Sequence, residues 1–443
     1  MCGIIGIVSR PSGRAVPSPA ELLAGLDQAI SSSRGGDVAL TAEHVGRVDL
    51  LLRGDAGLAV LMDNRRLAVD ITSRLDELDA FALASEAALE AASSLSIAEV
   101  ERRSLDLARL KDANWAIRND RLRNAVAVFD LAGTGATDSA RNAYFSIQQA
   151  FAALDRMEVR GRDSAGVHVM VWGHGLEVTD SRVVPLLAGR QDDALFTSGS
   201  VRVGAPGCAW SFVYKAAAEI GELGDNTRAM RSAVVGDDLL RLLVSQQGAR
   251  VSVLGHTRWA SVGIISEPNA HPVNSEELES TFGAPYLVAA LNGDVDNHAD
   301  IKVRNGLRIA DPITTDAKVI PTVVARRRQS GEAITDAFRN TVREFDGSVA
   351  IAAASAESPS TMLLALRGSG QGLCVGLAED RFIVASEPYG CVEETLRYVR
   401  MDGEALADVN NPATRGQVVR SEEHTSELQS HSDFVCRLLL EKK

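Results

Sequence analysis

The spacing of hydrophobic positions divides the chain into regions that differ in predicted secondary structure. A short apolar run at 3–9, rich in β-branched residues and bracketed by glycines, predicts a strand at the start of the chain. From about 18 to 142, apolar residues recur at helical spacing in segments 21–31, 67–92 and 97–123, with almost no proline or glycine. This pattern predicts a helical block, and nothing in it suggests chemistry.

The remaining region changes to a strand-dominated pattern. An amphipathic helix predicted at 143–157 leads into a strand at 167–172, and further helices are predicted at 237–247 and 315–328. Beyond residue 250, apolar runs bounded by turn residues predict strands at 251–255, 286–291, 348–354, 361–367, 373–377 and 382–386. Many short strands with few helices between them favour antiparallel layers covered by helices, an α+β arrangement.

Composition and charge exclude several classes of function. The chain has 443 residues, 45% hydrophobic and 24% charged, which is typical of a globular protein with a large core. A net charge of −13 has the wrong sign for a nucleic-acid-binding protein, and no apolar run approaches the length of a membrane span. The five cysteines form no Cys-x-x-Cys pair, and the N-terminus lacks a secretory leader. We therefore expect a cytoplasmic protein without a disulfide framework or a zinc site.

Cys2 is the first candidate for chemistry. Removal of Met1 would leave a thiol and a free α-amine on the same residue. The α-amine has a reference pKa near 8, so part of it is neutral at cytosolic pH and can take the thiol proton. The alternative is a buried cysteine that packs as a small hydrophobic side chain, and Met-Cys-Gly alone favours this alternative.

Four further groups of residues carry polar chemistry beside predicted strands and helices. His-Thr-Arg-Trp-Ala-Ser at 256–261 follows a strand, and Asn-Ala-His-Pro at 269–272 comes soon after. Asn-Gly-Asp at 292–294 follows another strand, and Thr-Asp at 315–316 opens a helix. Polar residues at strand ends and helix starts are well placed to line a pocket.

The residue types suggest roles for these groups. Arg258 suits a carboxylate because its guanidinium can bind both oxygens, and Asp316 suits an ammonium group. The Asn292 side-chain amide and the Gly293 backbone N–H together could form an oxyanion hole. Each also has a structural alternative: a surface arginine, a helix N-cap at Asp316 and a hairpin turn at 292–293.

Taken together, five ordered elements resemble the glutaminase domain of the class II glutamine amidotransferases, which are N-terminal nucleophile hydrolases. They are Met-Cys-Gly-Ile at 1–4, Arg-Gly-x-Asp-Ser-Ala-Gly at 160–166, His-Thr-Arg-Trp-Ala at 256–260, Asn-Ala-His-Pro at 269–272, and Asn-Gly with Asn-His between 292 and 298. The match favours the sugar-phosphate branch, because other branches generally lack Arg-Trp followed by Asn-Ala-His-Pro. The resemblance implies a four-layer αββα sandwich, here with a large α-helical insertion at about 10–142.

The resemblance also implies a reaction. The nucleophile falls on Cys2 and the oxyanion hole on Asn292 and Gly293. The substrate is L-glutamine, hydrolysed to glutamate and ammonia, and the family passes the ammonia to fructose 6-phosphate to give glucosamine 6-phosphate. Neither a metal nor an organic cofactor is needed for this half of the reaction.

Further positions match the substrate-binding residues of the family. The glutamine carboxylate is expected at Arg258, with Ser261 nearby, and the glutamine α-amine at Asp316. Trp259 matches the tryptophan that gates ammonia transfer, and His271 is expected to support the pocket.

The expected domain organisation is one amidotransferase domain over 1–419 followed by a tail at 420–443. This tail is polar and resembles the translation of a sequencing-library adapter, so we expect it to be artefactual, with a natural helical tail as the alternative. The sugar-isomerising half of the family, two phosphosugar-binding domains, would follow and is not encoded, so the chain is expected to make ammonia without using it. The resemblance also allows a homodimer.

Two alternatives for the function stay open. The glutaminase domain could serve another acceptor, because the helical insertion is absent from compact family members. The chain could also be a catalytically inactive regulatory or assembly module of the same fold. Retention of Met1 would favour this module, whereas alkylation of Cys2 by a glutamine analogue would favour the enzyme.

Overall fold

The computed structural model describes residues 2–204, 208–217, 222–279, 285–406, 415–422 and 429–430. The chain divides into two compact units. One unit is Pro11–Gly133, and the other combines Met1–Arg10 with the chain from Thr134 onward. No helix within the described residues is long and apolar enough to cross a membrane.

All regular elements of the unit Pro11–Gly133 are helices. Its helices are α1 Pro19–Arg34, α2 Val38–Leu51, α3 Gly54–Asp63, α4 Arg65–Glu90, α5 Ile97–Ala116 and α6 Arg123–Ala132, with a π-helical turn at Ile117–Leu122 between the last two. Four helices begin at polar side chains that accept a hydrogen bond from a backbone N–H of the first turn, which satisfies an otherwise unpaired donor. These caps are Ser18, Asp37, Asn64 and Ser96. The predicted helical segment 21–31 is confirmed within α1. Segment 67–92 follows α4 but extends two residues past its end, and segment 97–123 covers α5 and the π-helical turn and reaches the first residue of α6.

The second unit contains two antiparallel sheets. The eight strands of the first sheet are β1 Gly3–Ser9, β2 Ser164–Trp172, β3 Val201–Arg202, β4 Trp210–Ala216, β5 Arg250–Arg258, β10 Cys374–Leu377, β11 Arg381–Ala385 and β12 Tyr398–Arg400. Their order across the sheet is β12-β10-β11-β1-β5-β2-β4-β3. The six strands of the second sheet are β6 Val273–Asn274, β7 Leu287–Gly293, β8 Val349–Ser355, β9 Ser358–Arg367, β13 Gln417–Glu422 and β14 Gln429–Ser430. Their order is β14-β13-β9-β8-β7-β6.

The two sheets pack face to face between layers of helices. Alternate residues of each strand point to opposite faces, so Ile4 and Leu254 of the first sheet share a core with Val288 and Leu364 of the second. The helices of this unit are α7 Asp138–Met157, α8 Val184–Leu187, α9 Asp225–Val235, α10 Asp238–Val244, α11 His298–Asn305, α12 Val319–Gln329 and α13 Ile334–Arg343. The outer face of the second sheet packs against α12 and α13, and α7 and α9 contact the first sheet. The order helix, sheet, sheet, helix confirms the predicted αββα sandwich.

Several boundaries differ from the sequence predictions. Strand β5 continues to Arg258, so the first three residues of His-Thr-Arg-Trp-Ala lie within the strand and do not follow it. Asp316 begins a 3-10 turn, Asp316–Lys318, and α12 starts only at Val319. Helix α7 begins at Asp138 because Thr137 caps it, five residues before the predicted start.

The predicted tail at 420–443 falls mostly outside the described residues. Residues 420–422 belong to β13, where Arg420 is paired with Leu363 of β9, and residues 429–430 form β14. Residues 423–428 and 431–443 lie outside the described part of the chain.

Candidate active site

Cys2 immediately precedes β1 and is 8% exposed. Its Sγ atom accepts a hydrogen bond from the Trp259 backbone N–H at 3.3 Å, and the thiol can donate to the Trp259 carbonyl oxygen at 3.5 Å. Burial raises the pKa of the Cys2 thiol, whereas the Trp259 N–H and the Arg258 charge act in the opposite direction. The thiol at rest is therefore protonated, and its use as a nucleophile requires a nearby base.

The segment 160–166 holds the backbone on either side of Trp259, to which the Cys2 thiol is hydrogen-bonded. Asp163 donates its backbone N–H to the Arg258 carbonyl at 3.1 Å and accepts the Ala260 N–H on Oδ2 at 2.8 Å. A Cβ atom at Gly161 would lie 2.6 Å from the Arg258 carbonyl carbon, so only glycine allows this approach. The Arg-Gly-x-Asp element thus holds the end of β5 in place.

Arg258 is buried beside Cys2, with 2% of its surface exposed. Its guanidinium donates to the carbonyl oxygens of Ile264 at 3.1 Å and Gly263 at 3.4 Å, and also to that of Val262. Burial lowers the pKa of Arg258, and the negative charges of Asp316 and Asp163 raise it. Among the described residues, the Arg258 Nε–H has no hydrogen-bond partner, so this donor is available to a ligand.

The loop after β5 carries two further predicted residues. Trp259 is 58% exposed although its backbone contacts Cys2. The Ser261 hydroxyl donates to Asp294 Oδ1 at 2.6 Å, which ties this loop to the residue after Asn-Gly. The Asp294 charge also raises the pKa of Cys2, after the larger effect of burial, so the two loops and the thiol share one electrostatic environment.

The predicted oxyanion hole lies at the end of β7. Asn292 follows Val288 and Ala290 on the face between the sheets, and it is 2% exposed. Its side-chain amide has no hydrogen-bond partner within the described part of the chain. Gly293 has φ 103°, and a Cβ atom there would lie 2.0 Å from the Ser348 carbonyl oxygen, so this position requires glycine. The geometry leaves an amide donor available beside a tightly packed backbone.

Asp316 is buried at the start of the 3-10 turn. Its Oδ2 atom accepts the Val295 N–H at 2.8 Å. Burial raises the pKa of the Asp316 carboxyl, and the nearby Asp294 charge adds to this effect. The turn is held by Asn269, whose Oδ1 accepts the backbone N–H groups of Thr314 at 2.7 Å and Thr315 at 2.8 Å.

Two histidines face the backbone just before Asn292. His271 lies 2.9 Å from Thr315 Oγ1 through Nε2 and contacts Leu291 through Nδ1. His256 lies 2.8 Å from the Leu291 carbonyl oxygen through Nε2, and the two imidazole centroids are 4.5 Å apart. Burial lowers the pKa of His256 to about 3, so this ring is neutral.

No role was predicted for His256 or Asp163, although both lie in motifs that carry the family resemblance. A signal was present for His256, because it precedes Arg258 by two residues and therefore shares its face in an extended strand. Among the described residues, no group of acidic residues, histidines and cysteines is arranged to hold a metal ion, and Cys2, Cys208, Cys374 and Cys391 are all unpaired.

No family model matches the chain. The structure of the allosteric regulatory enzyme of purine biosynthesis aligns with a TM-score of 0.42 and 16% identity, over 65% of this chain and 46% of that chain. The glutamine phosphoribosylpyrophosphate amidotransferase of B. subtilis aligns with a TM-score of 0.40 and 17% identity, over the same shares.

The curated relatives are more specific. The glutamine–fructose-6-phosphate aminotransferase [isomerizing] of Geobacillus kaustophilus is 32% identical over 198 residues, which are 44% of this chain and 31% of that protein. That of Bacillus anthracis is 29% identical over 196 residues, 43% of this chain and 31% of that protein. The chain thus spans about a third of the length of these relatives. The predicted resemblance to glutamine amidotransferases of this kind is confirmed.

Proposed function

We propose that this chain is the glutaminase half of a glucosamine-6-phosphate synthase-like amidotransferase, which hydrolyses L-glutamine to glutamate and ammonia for transfer to fructose 6-phosphate. One observation carries the proposal. The Cys2 thiol, next to β1, contacts the Trp259 backbone, and its pKa is affected by the charge of Asp294, two residues after Asn292. The Asn292 amide, near the end of β7, has no partner among the described residues. A buried nucleophile and an available amide donor are the two groups that attack on a carboxamide requires.

In the proposed mechanism, loss of Met1 exposes the α-amine of Cys2, which takes the thiol proton. This base is needed because burial raises the pKa of the thiol. The sulfur attacks the amide carbon, and the oxyanion receives hydrogen bonds from the Asn292 side chain and the Gly293 N–H. The C–N bond then breaks, ammonia leaves with the proton returned by the amine, and water hydrolyses the thioester to glutamate. These steps use no metal and no cofactor.

The proposed substrate contacts follow from the charges of the site. The glutamine carboxylate binds the Arg258 N–H groups that are not used by the loop carbonyls, because a buried guanidinium without a carboxylate at hydrogen-bond distance attracts an anion. The α-ammonium binds Asp316, whose Oδ1 is not used by the Val295 N–H. Ser261 and Trp259 cover the substrate from the loop after β5.

Glutamate release from L-glutamine by the full chain tests the proposal. Wild-type protein should release glutamate, and Cys2→Ala should abolish release. Cys208→Ala is the matched control, because Cys208 is unpaired and lies outside the proposed site, and it should retain the wild-type rate. Intact-mass analysis should show Met1 removed. Glutamate release that persists in Cys2→Ala would contradict the proposal.

The acceptor is a separate part of the proposal, supported by the similarity to glutamine–fructose-6-phosphate aminotransferases. Protein from the complete gene should form glucosamine 6-phosphate from fructose 6-phosphate and glutamine. Ammonia release without this product would favour another acceptor. Correctly processed protein that neither releases ammonia nor forms the product would favour a regulatory or assembly module. We propose a cytosolic location, in keeping with the unpaired cysteines.

A further inference from the structure

His271 connects two parts of the site that the proposed function assigns to opposite ends of the substrate. Its Nδ1 atom lies 3.4 Å from the Leu291 backbone nitrogen and 3.2 Å from the Leu291 carbonyl oxygen. Its Nε2 atom lies 2.9 Å from Thr315 Oγ1, which is 3.4 Å from Asp316 Oδ1. A continuous line of polar contacts therefore joins the Asp316 carboxylate to the residue that precedes Asn292.

The direction of these hydrogen bonds can be assigned from the partners. The Leu291 carbonyl oxygen only accepts, so His256 donates to it from Nε2 and satisfies it. Burial lowers the pKa of His271 well below its usual range, so its ring is neutral and has a single N–H. With Asp316 ionised, the Thr315 hydroxyl donates to the carboxylate and accepts the His271 Nε2–H. Nδ1 then accepts the Leu291 N–H.

We propose that this line couples binding of the substrate α-ammonium at Asp316 to the position of the oxyanion-binding end of β7, with Thr315 and His271 as positioning residues. The proposal rests on the proposed function of the site. An ammonium group at Asp316 competes with the Thr315 hydroxyl for the same carboxylate charge. The change passes through the imidazole to the Leu291 N–H, one peptide unit before Asn292.

The coupling defines a substrate class. A primary carboxamide with a free α-ammonium is turned over fast, because it sets the oxyanion donors in place. A carboxamide that has the carboxylate but lacks the α-amine binds through Arg258 and is turned over slowly. Discrimination therefore shows in kcat as well as in KM, which simple loss of an ion pair at Asp316 would not produce.

The test compares L-glutamine with glutaramate, the same carboxamide and carboxylate without the α-amine, using the full chain. In the wild type, kcat for glutaramate should be about 10-fold to 100-fold lower, as expected when reacting groups are misplaced. Thr315→Val removes the hydroxyl but keeps the side-chain shape and Asp316. In this variant kcat should be low and equal for both substrates, whereas KM should still favour glutamine.

Two further variants make the result specific. Thr315→Ser restores a hydroxyl and should restore the wild-type ratio of kcat values. Thr341→Val is the matched control, because Thr341 is equally buried but donates to the Ala337 carbonyl within α13. It should keep the ratio. A wild-type ratio in Thr315→Val, or a ratio lost in Thr341→Val, would overturn the coupling.

A measurement without turnover separates this coupling from the glutaminase activity. The imidazole 15N resonances of His271 should shift when L-glutamate binds the wild-type chain and should not shift with glutarate, which lacks the ammonium. In Thr315→Val neither ligand should shift them. If the chain fails to hydrolyse glutamine but these shifts occur, the coupling stands and the proposed reaction is wrong. Unchanged resonances with bound L-glutamate would refute the coupling even in an active enzyme.

Discussion

The two units bury polar side chains in different ways. In the helical unit, the buried carboxylate of Asp49 is paired on both oxygens, with Arg121 Nε at 2.9 Å and Arg53 Nη2 at 2.6 Å. In the unit that contains the two sheets, the buried amide of Asn292 has no hydrogen-bond partner among the described residues, and the Cys2 thiol hydrogen-bonds there only to backbone groups. A buried polar group whose hydrogen bonds are all made by its neighbours stabilises the fold, whereas a buried polar group without a partner is available to bind a ligand.

The largest expected effect comes from a substitution in the buried cluster of Asp49, Arg53 and Arg121. Asp49→Leu should lower the free energy of unfolding by about 3 to 5 kcal/mol, because it leaves the buried Arg121 without this carboxylate. The double variant Asp49→Leu/Arg121→Met should recover most of the loss, since a buried pair replaced by apolar residues costs little. Chemical denaturation followed by circular dichroism gives both values.

The surface pair Arg34 and Glu77 provides the control for that measurement. Both side chains are largely exposed, so Arg34→Met should change stability by less than about 1 kcal/mol. If Asp49→Leu cost no more than Arg34→Met, the buried cluster would not stabilise the helical unit and the comparison would fail.

The next largest effect is expected from removal of the unpaired Asn292 amide. Asn292→Ala should lower kcat for glutamine hydrolysis by about 100-fold to 1,000-fold, because one oxyanion donor is lost. The thermal midpoint should stay close to that of the wild type, because the Asn292 amide has no partner within the described residues that the substitution would orphan. A large loss of stability with little change in kcat would show that Asn292 stabilises the fold, as Asp49 is expected to do, and does not serve as an oxyanion donor.

The same contrast explains what could be predicted from the sequence. Helices α4 and α5 follow from local apolar spacing and from caps such as Ser96, which act within a few residues. The contact of His256 with the Leu291 carbonyl depends on the packing of two sheets, and its partner lies 35 residues away. The site residues could be proposed only because the motifs resemble those of a family, and their distances and burial needed the fold.

The pH dependence of KM for glutamine tests the proposed role of Asp316 as the site of the substrate ammonium group. Burial raises the pKa of this carboxyl, so as the pH falls the ammonium site loses its charge earlier than an ordinary aspartate would. KM for glutamine should rise as the pH falls through this raised pKa. Asp316→Asn should have a high KM that does not rise further across the same range. The sign for stability is opposite: the raised pKa stabilises the fold at low pH, and this contribution is lost as the pH rises through it.

Steady-state kinetics between mildly acidic and neutral pH, with circular dichroism to confirm folding at each pH, would check this profile. A KM that falls on acidification, or an identical profile in Asp316→Asn, would contradict the placement of the ammonium at Asp316.

The smallest effect concerns a local contact of the helical unit. Ser96 accepts the Glu99 backbone N–H at 3.3 Å and begins α5, so Ser96→Ala should lower the free energy of unfolding by about 1 kcal/mol. Ser96→Asp should keep the cap, and Ser94→Ala, in the exposed turn before the helix, should have no measurable effect. Equal losses in Ser96→Ala and Ser94→Ala would mean that the start of α5 is set by packing, as the site residues of the sandwich are, and the contrast between local and long-range determinants would disappear.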